Sequence, residues 1–307
     1  MPDTRRSFFR SAALAAAIPA IAQERDRNPE PQPSTSPEAQ VPKMKFGNRE
    51  ISRLVVGCNP FYGYAHFNNT LAAVMRDYYT PERVCAVLHQ CNRYGINAWA
   101  YHPQGRGSQD LARFESEGGK MHLIVQCLDD PPSVYKALAP MAIYYQGERT
   151  DRAFQNREMA AVREWTKKAR ELGVMVGVGT HKPEVIALVE EQGWDVDFYA
   201  GCVYNRTRTP EEWKRALNGE LPEMPGEVYI QSDPPRMYQV MRQTRKPCFA
   251  FKILAAGRIG GQAVEQAFRT AFESIKPSDG VFVGMFPLLK DEVRENAERV
   301  CRILASA

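Results

Sequence analysis

The strongest constraint on this chain is a rhythm: short apolar runs of strand length alternate with amphipathic stretches of helix length from residue 53 to the C-terminus. That pattern is the signature of repeated βα units and a parallel sheet. Strands are expected at 53–57, 97–101, 122–127, 141–145, 174–178, 197–202, 248–253 and 280–284. The clearest helices are expected at 81–94, 157–172, 183–192, 211–217, 236–244, 262–275 and 290–304. Pro at the first turn or a Thr cap opens several of them, as at Thr80-Pro81 and Thr209-Pro210. Eight strands, each followed by helix-forming sequence, predict an α/β fold of the closed (β/α)8 class, a TIM barrel. A doubly wound open sheet would place a Gly-rich phosphate turn after its first strand, whereas this chain has Cys58-Asn59-Pro60-Phe61-Tyr62 there.

Ahead of the barrel, Met44 to Ile51 carries a Gly47-Asn48 turn between two short extended pieces and predicts a β-hairpin. Residues 23–43 are rich in Pro, Gln, Ser and charge, with almost no large apolar side chain, and are expected to form a disordered linker. The N-terminus, Thr4-Arg5-Arg6-Ser7-Phe8-Phe9-Arg10 followed by a weakly apolar run to Ala22, resembles a twin-arginine signal peptide. The expected organisation is a signal at 1–22, a linker at 23–43 and a barrel over 44–307. The resemblance implies the twin-arginine export machinery as a partner, a periplasmic or extracellular destination and no stable membrane span in the mature chain. An uncleaved signal acting as an anchor is the exception.

With 307 residues, 25 % of them charged, and a net charge of +4 spread along the chain, nothing marks a nucleic-acid partner. The seven cysteines lack paired spacing and predict no disulfide framework.

Barrel active sites lie in the loops after the C-terminal ends of the strands, so polar residues there are the candidates. The organising stretch is Gly95-Ile96-Asn97-Ala98-Trp99-Ala100-Tyr101-His102, a strand breaking into a Gly-rich loop. The candidate acid, base or stabilising groups are His102, Glu148, His181 and Lys252. Candidate substrate-binding residues are Asn59, His66, Tyr101, Gln126, Gln146, Asn205 and Arg258. This rim suits a small, polar, hydroxylated or carboxylated molecule.

His66, His102 and His181 are three of five histidines, and all follow predicted strands; they read as three separate hydrogen-bonding groups or, with Glu148, as a divalent metal site. Glu148 lies in a Glu-Arg-Thr-Asp-Arg run and reads equally as an acid/base or as part of a solvated loop of ion pairs. Lys252, inside the apolar run Phe249-Ala250-Phe251-Lys252-Ile253, needs a carboxylate partner or a chemical task, either Schiff-base formation or oxyanion stabilisation.

From Met44 onwards, several motifs in order are similar to those of the aldo/keto reductase superfamily. They are Phe46-Gly47-Asn48 with Ile51-Ser52-Arg53-Leu54, Tyr94-Gly95-Ile96-Asn97, Glu171-Leu172-Gly173-Val174 with Gly179-Thr180-His181, Val203-Tyr204-Asn205, and Val283-Gly284-Met285 through Glu295-Asn296. The resemblance implies a (β/α)8 barrel with NADP-dependent carbonyl reduction through an Asp, Tyr, Lys and His tetrad. The four tetrad positions fall instead on Ala100, a place near Gly105, Gln126, and Tyr145 or Gln146. The nicotinamide-amide positions fall on Gly179, Thr180 and Gly201, and the phosphate loop is rebuilt as Met285-Phe286-Pro287-Leu288-Leu289 before Lys290. A lost donor, lysine and histidine remove factors of about 10² to 10⁴ that acid catalysis supplies. The expected function is therefore an enzyme acting on a small polar carbonyl or carbohydrate-like substrate without the standard tetrad. The alternatives are NADP-dependent oxidoreduction with a rearranged proton donor and a non-catalytic ligand-binding barrel.

Overall fold

The computed structural model describes residues 38–103, 105–128, 130–219 and 227–306. The expected signal, most of the expected linker, Gln104 and Asp129 lie outside the described residues. The fold is a (β/α)8 barrel preceded by an antiparallel hairpin, β1 (Lys43–Phe46) and β2 (Arg49–Ser52). The barrel strands are β3 (Leu54–Gly57), β4 (Ala98–Tyr101), β5 (His122–Cys127), β6 (Ala142–Tyr145), β7 (Met175–Thr180), β8 (Phe198–Cys202), β9 (Cys248–Phe251) and β10 (Gly280–Gly284). Every neighbouring pair is parallel, and β10 closes on β3. The strands match the expected ones to within about three residues at each end.

Alternation along the strands sorts side chains into two cores. Ala98, Ala100, Ile124, Ala142, Ala200, Phe198, Phe249 and Phe282 point inward and fill the barrel, with small residues facing rings. Trp99, Tyr101, Val125, Val178 and Tyr199 point outward into the layer shared with the helices. The hairpin closes the bottom of the inner core: the Phe46 ring meets Phe198 at 5.1 Å and Phe249 at 5.2 Å, both edge-to-face. Ordered chain starts before the hairpin. Val41, within the expected linker, is buried and its N–H donates to the Tyr94 carbonyl, because it covers apolar surface at the end of the following helix.

The helices are α1 (Asn69–Tyr78), α2 (Pro81–Arg93), α3 (Gly107–Ser116), α4 (Pro131–Leu138), α5 (Gly147–Gln155), α6 (Met159–Arg170), α7 (Pro183–Glu191), α8 (Pro210–Ala216), α9 (Asp233–Gln243), α10 (Ala263–Ser274) and α11 (Glu292–Ala305). Four of them, α1, α3, α4 and α5, fall in stretches where the sequence pattern marks no clear helix. One of these corrects the site. The run around Glu148 is not a solvated loop: α5 starts at Gly147, and Glu148 pairs with Arg152 at 2.7 Å one turn on. No helix among the described residues is long and apolar enough to cross a membrane.

Phe46→Ala should destabilise the fold by about 3–5 kcal/mol, because it opens a cavity where three rings meet. Glu148→Ala, which removes an exposed pair, should cost no more than about 0.5 kcal/mol. Urea unfolding of the two variants reads the contrast directly.

Candidate active site

A cavity of about 410 Å³ opens at the C-terminal end of the barrel. Its floor is Ala100, Gln126, Tyr144, Phe251 and Phe282, and its walls come from the loops after β3, β4, β9 and β10. Of the expected site residues, Asn59, His66, Tyr101, His102, Gln126 and Lys252 border it. Tyr101 does so from outside the barrel: its odd register directs the ring into the helix layer against Trp99 at 4.8 Å, with the hydroxyl against Gly107. Alternation therefore gives the inward place on β4 to Ala100.

The remaining candidates separate by their partners. Glu148 sits half-exposed in the first turn of α5 and is tied to Arg152. The Gln146 carbonyl accepts from the Thr150 N–H and hydroxyl, which makes it the start of α5. Asn205 is buried; its N–H donates to Asp233, and its side-chain oxygen accepts from the Thr207 N–H. Arg258 donates to the carbonyls of His66, Ala255 and Glu227 and stacks on Tyr229 at 4.2 Å and on Phe67 at 4.9 Å. It ties three mouth segments together.

His181 forms the densest part of the site. Its Nδ1 lies 2.7 Å from Asp151 Oδ2, and its backbone N–H donates to both oxygens of the same carboxylate. The Thr180 and Thr207 hydroxyls also donate to Asp151, at 2.5 and 2.9 Å. Asp151 is fully buried and His181 nearly so. The carboxylate fixes the imidazole with Nδ1 protonated and leaves Nε2 facing Arg206 at 3.4 Å. Burial lowers the His181 pKa despite Asp151, and the Arg206 cation lowers it further. Asp151 is missing from the expected residues because its run reads as a loop; a helical period there places Thr150 and Asp151 on the inward face.

The second feature missed in the sequence is Glu227. His66 Nδ1 lies 2.6 Å from Glu227 Oε1, and Arg206 donates to the same oxygen. The Tyr229 hydroxyl donates to Oε2 at 2.6 Å, with Lys252 Nζ 3.7 Å from that atom. Burial first, and then the Arg206 cation, lower the His66 pKa and hold the ring uncharged, so it meets Glu227 as a neutral donor. Lys252 follows the last residue of β9, with its side chain 9 % exposed and its backbone in the left-handed region at φ +61°. Ala255 and Ala256 in the same loop are left-handed as well. Non-glycine residues held there cost of order 1–3 kcal/mol each and cluster at functional sites. Burial, and then Arg206, pushes the Lys252 pKa well below the usual lysine value.

The three histidines do not share one metal. His181 is bound to Asp151, His66 to Glu227, and Glu148 to Arg152. Among the described residues no three His, Cys, Asp or Glu side chains are grouped to hold a metal ion. The cofactor implied by the reductase resemblance does not fit the nicotinamide-amide positions either. The Thr180 hydroxyl is already engaged by Asp151 and by the Lys182 carbonyl, and Gly179 and Gly201 bring no side chain.

No protein-family model and no curated protein matches the chain. Among solved structures, a truncated 3-deoxy-D-arabino-heptulosonate 7-phosphate synthase from Thermotoga maritima is similar over 87 % of this chain and 92 % of its own, with a TM-score of 0.51 and 16 % identity. An aldo/keto reductase from Brucella melitensis is similar over 87 % of this chain and 100 % of its own, with a TM-score of 0.46 and 11 % identity. At 16 % identity the likeness to the synthase establishes the barrel alone.

The lowered histidine values make stability depend on pH. Below the ordinary histidine value of 6.5 the unfolded chain binds more protons than the folded one, so His66 and His181 each weaken the fold as pH falls through that region. The slope is at most about 1.4 kcal/mol per pH unit for each. Urea midpoints measured between about pH 7.5 and 5.5 should fall with acidification, and less steeply in His181→Asn.

Proposed function

We propose that this barrel is an enzyme acting on small polar carbonyl compounds, with the ε-amine of Lys252 as its nucleophile. The observation that carries this reading is the placement of that amine: it borders the cavity, is nearly buried, has its closest carboxylate oxygen only at 3.7 Å, and has its charged form disfavoured. A lysine attacks only as the free amine, and burial beside another cation is a known means of holding it so near neutral pH.

The amine nitrogen forms a bond to the carbonyl carbon and gives up one of its protons as the carbonyl oxygen takes one up, which yields a neutral carbinolamine. A proton delivered to its hydroxyl lets water leave and gives an iminium, which draws electrons from the neighbouring carbon. His102 borders the same cavity, which supports it as the group that delivers this proton. His181, fixed by Asp151, holds Arg206 against the mouth and is a positioning residue. Gln126 and Tyr144 on the floor offer polar contacts to hydroxyl groups of the substrate. We also infer export, which rests on Arg5-Arg6 and the apolar run after them.

Incubation of the full chain with glycolaldehyde and sodium borohydride should reduce the imine to a stable secondary amine, and peptide mapping should locate the mass gain on Lys252. Lys252→Met should lose it, and Lys252→Arg should too, because a guanidinium does not form the adduct. Labelling confined to other lysines would refute the assignment.

A further inference from the structure

We propose that Arg206 and His66 form an anion-binding subsite beside the Lys252 amine, that the Glu227 carboxylate occupies it as an internal stand-in, and that the substrate is therefore an oxo acid. This rests on the carbonyl reading above and narrows its substrate class.

The stand-in is a carboxylate surrounded by donors. His66 comes from the loop after β3, Arg206 from the loop after β8, and Lys252 from the end of β9, and all three face one carboxyl group. Glu227 is outside any helix or strand; the Tyr229 hydroxyl donates to its carboxylate, and Arg258 donates to its backbone carbonyl. Two of the three donors, His66 and Lys252, sit on left-handed backbone, at φ +53° and +61°. The chain thus keeps these side chains in place at a conformational cost, which the Glu227 contact alone does not require.

The charges and the hydrogen bonds agree. Two buried carboxylates near the mouth take no part in the cage: Asp151 is held by His181, Thr180 and Thr207, and Asp233 by Arg208 and the Asn205 N–H. Arg206 uses one terminal nitrogen on Glu227 and the other on His181, while its buried Nε has no hydrogen-bond partner among the described residues. A guanidinium edge with a spare donor suits a second oxygen, and bidentate recognition of a carboxylate is the arrangement Arg favours. With Glu227 withdrawn, the subsite presents cationic and neutral donors toward the cavity that His66 and Lys252 border. An oxo acid then sets its carboxylate on Arg206 and His66 and its carbonyl carbon against the Lys252 amine.

Pyruvate and its uncharged counterpart hydroxyacetone separate the two ideas. Calorimetric titration of the full chain should show pyruvate binding at least about tenfold tighter to Glu227→Gln than to the unsubstituted chain, with hydroxyacetone changed little. Adding Arg206→Gln should abolish the gain, and Arg206→Lys should restore part of it. Glu227→Gln keeps the shape of the carboxylate, so it tests the subsite even if the Arg206 variants fold poorly. Pyruvate affinity that is the same in both proteins, or no preference for pyruvate over hydroxyacetone in Glu227→Gln, would overturn the anion subsite. Tight pyruvate binding without a borohydride adduct on Lys252 would support the subsite and remove the amine chemistry instead.

Discussion

An ammonium group withdrawn from water needs either a close counter-charge or a lost proton, and the barrel mouth supplies the first to Lys252 only at 3.7 Å. Arg206 competes for the same Glu227 carboxylate at closer range, and His66 and Tyr229 fill its remaining positions. The lysine is left with most of its desolvation uncompensated. Much of the local architecture follows from this arrangement: left-handed backbone delivers the side chain inward, Arg258 binds the loops that close over it, and the Asp151–His181 pair orients the competing guanidinium.

The scaffold makes such a placement possible because its rigidity is built elsewhere. Alanines on β4, β6 and β8 face phenylalanine rings from β8, β9 and β10, and Phe46 closes the lower end. Packing of this density leaves strain at the upper end no easy way to relax, so loops there hold conformations that an isolated peptide would abandon. Stability and chemistry are divided between the two ends of one barrel.

The barrel was legible because its signal is periodic and repeated: each buried parallel strand is a short apolar run, and eight of them in order leave few architectures. The candidate site was legible only where it depends on position at a strand end: His66, His102 and Lys252 border the cavity, and His181 after β7 pairs with Asp151. Tyr101 borders the cavity only from the helix layer, because one step of alternation separates that layer from the barrel interior and Ala100 takes the inward place. Asp151 was hidden by a charge run that looks solvated until α5 is recognised, after which its inward face is plain. Glu227 had no local signal. It lies in an irregular stretch with Glu220 and Glu223 nearby in sequence, and only the folded chain brings it to donors more than twenty residues away.

The protonation state of Lys252 is the claim on which the account turns. Competitive acetylation of the full chain with trace acetic anhydride across a pH series, read peptide by peptide by mass spectrometry, measures that state directly. The account predicts that the reactivity of Lys252 rises with a midpoint well below the ordinary lysine value of 10.5. A midpoint at the ordinary value would contradict it, showing a lysine that keeps its proton and serves only as a counter-charge to Glu227.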